Sequence, residues 1–238
     1  MRKSTNEREY KWRIKENREE TRDARTLVLS AASIRPSFKA GQYLTVKLPG
    51  LCTVEGKAYS ISSSPHEDDV CITIRRRGNF SEKLLSLTIG DQVITSSPYG
   101  FFFPEPSVAG DIVFLAGGIG ISPCISIIEH LMHTKSPRSM HLHYSSQTAD
   151  RIVFKDRLTE LSKDNQNLSI VYYLTRDTNT NLLYQNGRME PSGILSKLPK
   201  STVSEFFLCG GISFTRDMRR GLIAGGVQQE KIYTEAFF

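Results

Sequence analysis

Four short stretches of this 238-residue chain carry residue types that do chemistry when held together. In "GKAYSISSSP" (56–65), Lys57, Tyr59 and Ser60 offer a cation, an aromatic plate and a hydroxyl, with the small Ala58 between. Those parts hold something flat, aromatic and phosphorylated. Taken alone, the stretch reads more simply as a strand that leaves a sheet through a serine-rich turn closed by Pro65. In "LAGGIGISP" (115–123), Gly117, Gly118, Gly120 and Pro123 stand between an apolar run and a helix-like pattern. Glycines let backbone approach a ligand, and a helix amino terminus offers unpaired N–H groups to an anion. The spacing is not the usual dinucleotide fingerprint, and a tight turn that needs glycine for packing is the alternative. The strand–turn–helix context favours phosphate, because ligands of such sheets sit at the carboxyl ends of strands.

"RRRGNFSEKL" (75–84) supplies Arg75, then a flexible Gly78, Asn79, Phe80 and a helix start at Ser81. It is either a second anion site or the charged edge of a hairpin. In "FLCGGISFTRDM", Cys209, Gly210 and Gly211 fall where another strand ends, so Cys209 is expected to face the same crevice. A small apolar filler is the simpler reading of that cysteine.

The elements that must position these residues change character along the chain. In the first hundred residues, "EYKWRIKENREE", "ARTLVLSAAS", "GQYLTVKLP", "KAYSISS", "VCITIRR" and "QVITSSP" read as six short strands with frequent turn signals, a sandwich or a barrel. "GQYLTVKLP" alternates, with Tyr43, Thr45 and Lys47 on one face and Leu44, Val46 and Leu48 on the other. "NFSEKLLSL" is a helical patch with Ser81 as its cap. Pro98, Pro104 and Pro106 mark a boundary, giving segments 1–106 and 107–238. Beyond it, strands alternate with helices over "DIVFLAGGIGISPCISIIEHLMH", "SMHLHYSS", "DRIVFKDRLTELSK", "LSIVYYLTR", "PSGILSKLP", "SEFFLCGG", "SFTRDMRRGLIAGG" and "KIYTEAFF", the grammar of a parallel α/β sheet.

Composition narrows the classes. The formal charge is +6, with the excess in Arg75–Arg77 and scattered over Arg2, Lys3, Arg8, Lys11 and Arg13. No long basic run with interleaved aromatics is present, so no nucleic-acid partner is expected. Cys52, Cys71, Cys124 and Cys209 stand far apart without a CxxC, so no metal site is expected and a reducing, cytoplasmic setting is. The amino terminus lacks the apolar core of a signal peptide. The most apolar stretch, 112–128, holds three glycines and a proline and reads as a buried strand–turn–helix rather than a membrane span.

Seven segments in order resemble the ferredoxin–NADP reductase superfamily of flavoprotein reductases: "FKAGQYLTVKLP", "KAYSISSSP", "RRRGNFSEKL", "GDQVITSSPYGFF", "LAGGIGISP", "LCGGISFTRDMRRGL" and "IYTEAFF". The resemblance covers essentially the whole chain. It implies two domains, an amino-terminal antiparallel Greek-key β-barrel that binds flavin and a carboxyl-terminal α/β parallel sheet that binds a nicotinamide nucleotide. It implies FAD rather than FMN, and hydride transfer from NADH or NADPH to the flavin. In the superfamily's Arg-x-Tyr-Ser/Thr motif the ring packs on the isoalloxazine, the hydroxyl lies near flavin N5 and the cation holds a phosphate. Tyr59 and Ser60 match, and Lys57 stands where arginine is usual, keeping the charge without the bidentate fork. Gly78 and Ser81 match the flavin's pyrophosphate turn, and Gly117, Gly118, Gly120 and Pro123 the nucleotide's pyrophosphate loop. Cys209 and Gly210 match the cysteine–glycine beside the nicotinamide, and Glu235 and Phe237 the terminal acid and aromatic near the flavin. Ser60, Cys209 and Glu235 are thereby the expected catalytic residues.

The resemblance also implies a separate electron acceptor, such as an acidic ferredoxin, a flavodoxin or an oxygenase component, which suits a basic surface. No cysteine cluster follows, so the iron–sulfur domain fused to some members is not expected, and either a stand-alone reductase or a piece of a larger protein is. The strand "MHLHYSSQT" ends in Ser145, Ser146 and Gln147, where relatives specific for NADPH tend to place an arginine and NADH users an acid. Gln147 is neither; NADH is favoured, with Arg151 and Arg176 as the cations within reach. A non-autonomous electron-transfer subunit, and a cofactor-free binding module, are the competing classes.

Overall fold

The computed structural model describes residues 8–49, 56–178, 184–198 and 204–237. Cys52, Arg2 and Lys3 lie outside them. The first half forms β1 (Tyr10–Thr21), β2 (Ala24–Ala31), β3 (Tyr43–Lys47), β4 (Lys57–Ser60), β5 (Val70–Arg75), α1 (Asn79–Leu85) and β6 (Gln92–Thr95). The strands make one antiparallel sheet in the order β4-β3-β6-β1-β2-β5. An antiparallel bridge between Ile61 and Ile72 joins the two edges, closing the sheet on itself. The alternation in "GQYLTVKLP" has a physical outcome: Leu44, Val46 and Leu48 are buried, while Tyr43, Thr45 and Lys47 are half-buried on the opposite face. Trp12, fully buried, fills the interior with Ile14, Leu27, Ile72 and Val93 and donates its indole N–H to Thr95 Oγ1 at 2.8 Å. Helix α1 adds Phe80, Leu84 and Leu85 to this core. Its amino-terminal cap is Gly78, at φ +79°, and Ser81 sits inside the first turn. The sequence places the cap at Ser81; a backbone that enters the helix through a left-handed φ favours glycine instead.

The second half forms β7 (Ile112–Gly117), α2 (Ile121–His133), β8 (Met140–Ser146), α3 (Lys155–Asp164), β9 (Leu168–Leu174), β10 (Tyr184–Asn186), α4 (Pro191–Leu195), β11 (Glu205–Gly211), α5 (Ile212–Ala224) and β12 (Ile232–Phe237). All its strands run parallel, in the order β10-β9-β8-β7-β11-β12. Side chains of β7 are buried on both faces: Ile112, Phe114 and Ala116 join one core with α2 and α3, Val113 and Leu115 another with α4 and α5. A strand covered on both sides must be apolar without alternation, which is why this stretch imitates a membrane segment. No helix among the described residues is long and apolar enough to cross a membrane. Strand β10 has no clear signal in the sequence, and α3 begins at Lys155 because Phe154 turns left-handed, at φ +60°. Winding reverses between β7 and β11, so the crevice expected of such sheets opens at their carboxyl ends.

The connecting segment packs on the second sheet. Phe102 is buried edge-on against Phe207 of β11, ring centroids 5.2 Å apart. Just before Phe207, at the start of β11, Glu205 is wholly buried and takes Arg138 Nη2 at 2.6 Å on one oxygen and Tyr233 Oη at 3.1 Å on the other. Removing one partner of such a pair leaves an uncompensated buried charge. Arg138→Met is therefore expected to cost about 3–5 kcal/mol in urea unfolding, with most of the loss recovered by adding Glu205→Met.

Candidate functional site

A cavity of about 650 Å³ lies where the two sheets meet. The antiparallel half brings Lys57, Tyr59, Ser60 and Arg75 to it, and the parallel half brings Gly117, Glu235 and Phe237. On β4, Tyr59 pairs with Leu44 and Ser60 with Tyr43 across the ladder. Strand alternation sends Lys57 and Tyr59 to one side. Both reach Phe80 of α1, the Tyr59 ring stacked on it at 6.5 Å and 15° and Lys57 Nζ 5.8 Å from its centroid. Burial pushes the Tyr59 hydroxyl up to about 12, so it stays protonated.

Below them, the turn before α1 is tied by Ser81, whose Oγ accepts the Arg77 N–H at 2.6 Å and donates to the Gly78 carbonyl at 2.8 Å. Ala58 lines the cavity, and Asn79 opens the helix at the surface. Arg75 is the electrostatic centre. Its Nε and Nη2 are buried with no hydrogen-bond partner, and the nearest carboxylate, Asp23 Oδ2, is 3.6 Å from Nε. Buried guanidinium donors without acceptors are costly. Nη1 of the same arginine lies over Gly118, at φ +56°, where a Cβ would stand 2.7 Å from it. Lys57, Arg75 and Arg77 all line the cavity, so the cations present fit a phosphorylated ligand in it.

The glycines of the parallel half divide by role. A Cβ on Gly120 would stand 2.1 Å from the Cys209 carbonyl oxygen, and one on Gly210 2.8 Å from the Phe214 ring. These two are demanded by packing of the β7 and β11 ends, the simpler of the two readings of such a turn. Gly117 borders the cavity, and Pro123 is buried in the first turn of α2. Ser145 pairs with Gly117 on the neighbouring strand β8, outside the cavity lining. Arg176 is exposed beyond β9, and its N–H donates to the Gln147 carbonyl at 2.8 Å. Arg151 Nη1 donates to Gln147 Oε1 at 2.8 Å.

Four residues from distant stretches were expected around one spot. Ser60, Glu235 and Phe237 line the cavity, and Ser60 Oγ donates to Glu235 Oε2 at 3.4 Å. Cys209 corrects the expectation: it pairs with Glu235 between β11 and β12, yet its side chain is fully buried beneath, in the core with Cys124. Burial holds the Cys209 thiol well above its usual value, so it is neutral filler under the site. Tyr43 and Ser122 also line the cavity; the alternation of β3 put Tyr43 off the core, which was the signal for it.

Burial raises the Glu235 carboxyl to about 7, with the Ser60 hydrogen bond pulling the other way. Its folded value thus stands above the ordinary 4.5, and the native state holds an extra proton between those limits. Stability tied to this group falls as pH rises through that window. Glu235→Gln is expected to stabilise the protein by up to about 3 kcal/mol at pH 8 and by little at pH 5, read by urea unfolding of both proteins. Equal effects at the two pH values would show that Glu235 ionises normally.

A profile of the oxidoreductase NAD-binding domain family matches residues 114–220. A flavohemoprotein of Rhizobium meliloti is 24% identical over 95% of this chain and 60% of its own length. The reductase component of a propane 2-monooxygenase of Rhodococcus jostii is 24% identical over 88% of this chain and 59% of its own. The chain thus spans about three fifths of the length of these relatives. Among solved structures, a ferredoxin NADP+ reductase from Neisseria gonorrhoeae with bound FAD and NADP superposes with a TM-score of 0.83, 23% identity, and coverage of 97% of this chain and 99% of that one. The FAD/NAD-binding domain of nitric oxide dioxygenase from Vibrio cholerae gives 0.83, at 22% identity over 96% and 98%. With its closed antiparallel sheet, its parallel sheet and the crevice between them, the chain shares the fold of these reductases, and its residues 114–220 match the oxidoreductase NAD-binding domain family.

Proposed function

We propose that this chain is a flavin-dependent NAD(P)H reductase that binds FAD in the cavity, takes reducing equivalents from a nicotinamide nucleotide held by the parallel sheet, and delivers them to a separate acceptor. The observation that carries the reading is the cavity shared by both sheets, lined by the Tyr59 ring and by the cations Lys57, Arg75 and Arg77. In this reading residues 1–106 are the flavin-binding domain and 107–238 the nucleotide-binding domain. FAD, when bound, supplies the redox chemistry, accepting a hydride and releasing electrons singly or as a pair.

The residues of the chain bind, orient and exclude water. Tyr59, backed by Phe80, offers an aromatic face to a planar ring system. Lys57 and Arg75 offer charge to its phosphates. Ser60 Oγ donates to Glu235 Oε2, and the Glu235 carboxyl, raised to about 7 by burial, holds or yields a proton near neutrality without large cost. Phe237, half-buried at the cavity, covers the face where a nicotinamide must arrive. Cys209 supports Glu235 from below. The acceptor is a protein with an acidic face, for which a net charge of +6 is the complement. A second reading, the reductase domain of a larger protein, is favoured by the three-fifths coverage of the relatives.

Purified protein is expected to be yellow and to release FAD on denaturation; a colourless protein that takes up neither FAD nor FMN overturns the reading. Tyr59→Ala should weaken FAD binding by about 1–3 kcal/mol, the worth of one stacking face. Ser60→Ala should leave the bound flavin spectrum intact and slow anaerobic bleaching of the flavin by NADH up to about a hundredfold, because hydride transfer demands near contact.

A further inference from the structure

We infer that Asp23, on the turn between β1 and β2, is a specificity-determining residue that disfavours a 2′-phosphate on the nicotinamide nucleotide. The inference rests on the nucleotide-binding reading above and adds a residue from the other half of the molecule.

In sheets whose first strand ends in a glycine turn, the 2′ position of the ribose is read at the end of the next strand, by an acid for a hydroxyl and by an arginine for a phosphate. Here that strand is β8, which ends at Ser146. Gln147 follows, and Arg151 Nη1 is hydrogen-bonded to its Oε1 at 2.8 Å. A guanidinium therefore stands where a 2′-phosphate would be read, which Gln147 alone does not reveal. Yet a carboxylate stands beside it. Asp23 Oδ2 lies 4.0 Å from Arg151 Nη1 and 3.6 Å from Arg75 Nε, between the two guanidiniums.

Asp23 is not free to swing away. Thr21 Oγ1 donates to its Oδ1 at 3.0 Å, and its main-chain oxygen accepts the Arg76 N–H at 2.7 Å. Other charges around Arg151 are mixed. Asp150 sits beside it, held low by its Thr148 hydrogen bond with help from Arg22 and Arg151. Asp177 Oδ2 accepts the Ala149 N–H at 3.3 Å, and Arg176 is exposed next to it. A phosphate approaching Arg151 meets the Asp23 carboxylate at similar range, and like charges at that separation repel strongly in a partly buried place. A ribose hydroxyl meets no such penalty. Discrimination here comes from a repulsive element, and that element belongs to the flavin-side sheet.

The test is calorimetric titration of the FAD-loaded protein with adenosine 5′-monophosphate and with adenosine 2′,5′-bisphosphate, which reads binding rather than turnover. The native protein is expected to bind the bisphosphate no more tightly than the monophosphate. Asp23→Asn, which keeps the shape and the Thr21 hydrogen bond, should tighten the bisphosphate about tenfold or more with the monophosphate nearly unchanged. Adding Arg151→Ala should abolish that gain. Arg151→Ala alone should change the ratio of the two affinities by less than about threefold, because the Asp23 carboxylate still stands beside any phosphate bound there. Binding of both ligands with no shift in Asp23→Asn overturns the role of Asp23 and leaves the nucleotide reading standing. A strong native preference for the bisphosphate, or a large loss of it in Arg151→Ala alone, also overturns the inference. Failure of every variant to bind either ligand overturns both the inference and the reading beneath it.

Discussion

A guanidinium with two buried and unpartnered donors governs the junction of the two sheets. Arg75 leaves the end of β5, crosses to the parallel half and stops against Gly118. Buried in this way it costs stability unless an anion completes it. Asp23 answers only part of that demand, at a separation longer than a hydrogen bond. The neighbourhood is arranged around the remainder. Gly118 has no side chain to take the space, and Gly78 lets the chain turn into α1 beside it. The guanidinium is thus held at the junction by close backbone and a distant carboxylate, a site strained in the electrostatic rather than the steric sense.

What a single sequence could reveal follows from how local each determinant is. The alternation of β3 and the joint approach of Lys57 and Tyr59 to Phe80 depend on period alone, and strand period is a local property. The apolar run of β7 was legible as a doubly covered strand because glycines and a proline interrupt it. Cys209 was misread because its side of β11 is covered by α2, whose Cys124 fills the same core; which face a helix covers is tertiary information. The start of α3 was misplaced because one left-handed residue, Phe154, breaks a helical pattern that composition alone supports. The meeting of Asp23 with Arg151 joins two halves of the chain and left no trace in local spacing. Arg151 was named only as a cation within reach of the nucleotide, and Asp23 looked like an ordinary charged turn residue.

The serine run after Tyr59 has a physical account that no motif supplies. Ser60, Ser62, Ser63 and Ser64 are all buried. Ser60 faces Glu235. Ser62 Oγ pairs with Thr73 Oγ1 at 2.8 Å, and Ser63 Oγ accepts the Cys71 N–H at 3.0 Å. The Ser63 carbonyl takes Ser126 Oγ of α2 at 2.6 Å, and the Ser64 N–H reaches Glu67 at 3.0 Å. As the chain peels away from β4 it loses regular ladder partners while still buried, and polar backbone in that position must be satisfied some other way. Short hydroxyl side chains supply those partners in little space.

That arrangement ties the cavity to the junction through one continuous segment. Three residues after Ser60, the same backbone is gripped by α2 through Ser126. Further on, Glu67 meets Arg157 of α3 at 3.1 Å, and Arg157 also grips Glu129 of α2. His66 stacks on His133 at 3.8 Å and lies 3.0 Å from His130, nitrogen to nitrogen. A shift of the parallel half would therefore pull on the segment that sets Ser60 against Glu235, a contact already long at 3.4 Å. Ladder bonds of β4 to β3 resist such a pull at one end and the α2 contacts at the other. The Glu235 carboxyl is thus set by its own β11–β12 ladder and met by Ser60 at the end of a run anchored on both sheets. Its position is set by backbone hydrogen bonding rather than by the packing of a flexible loop.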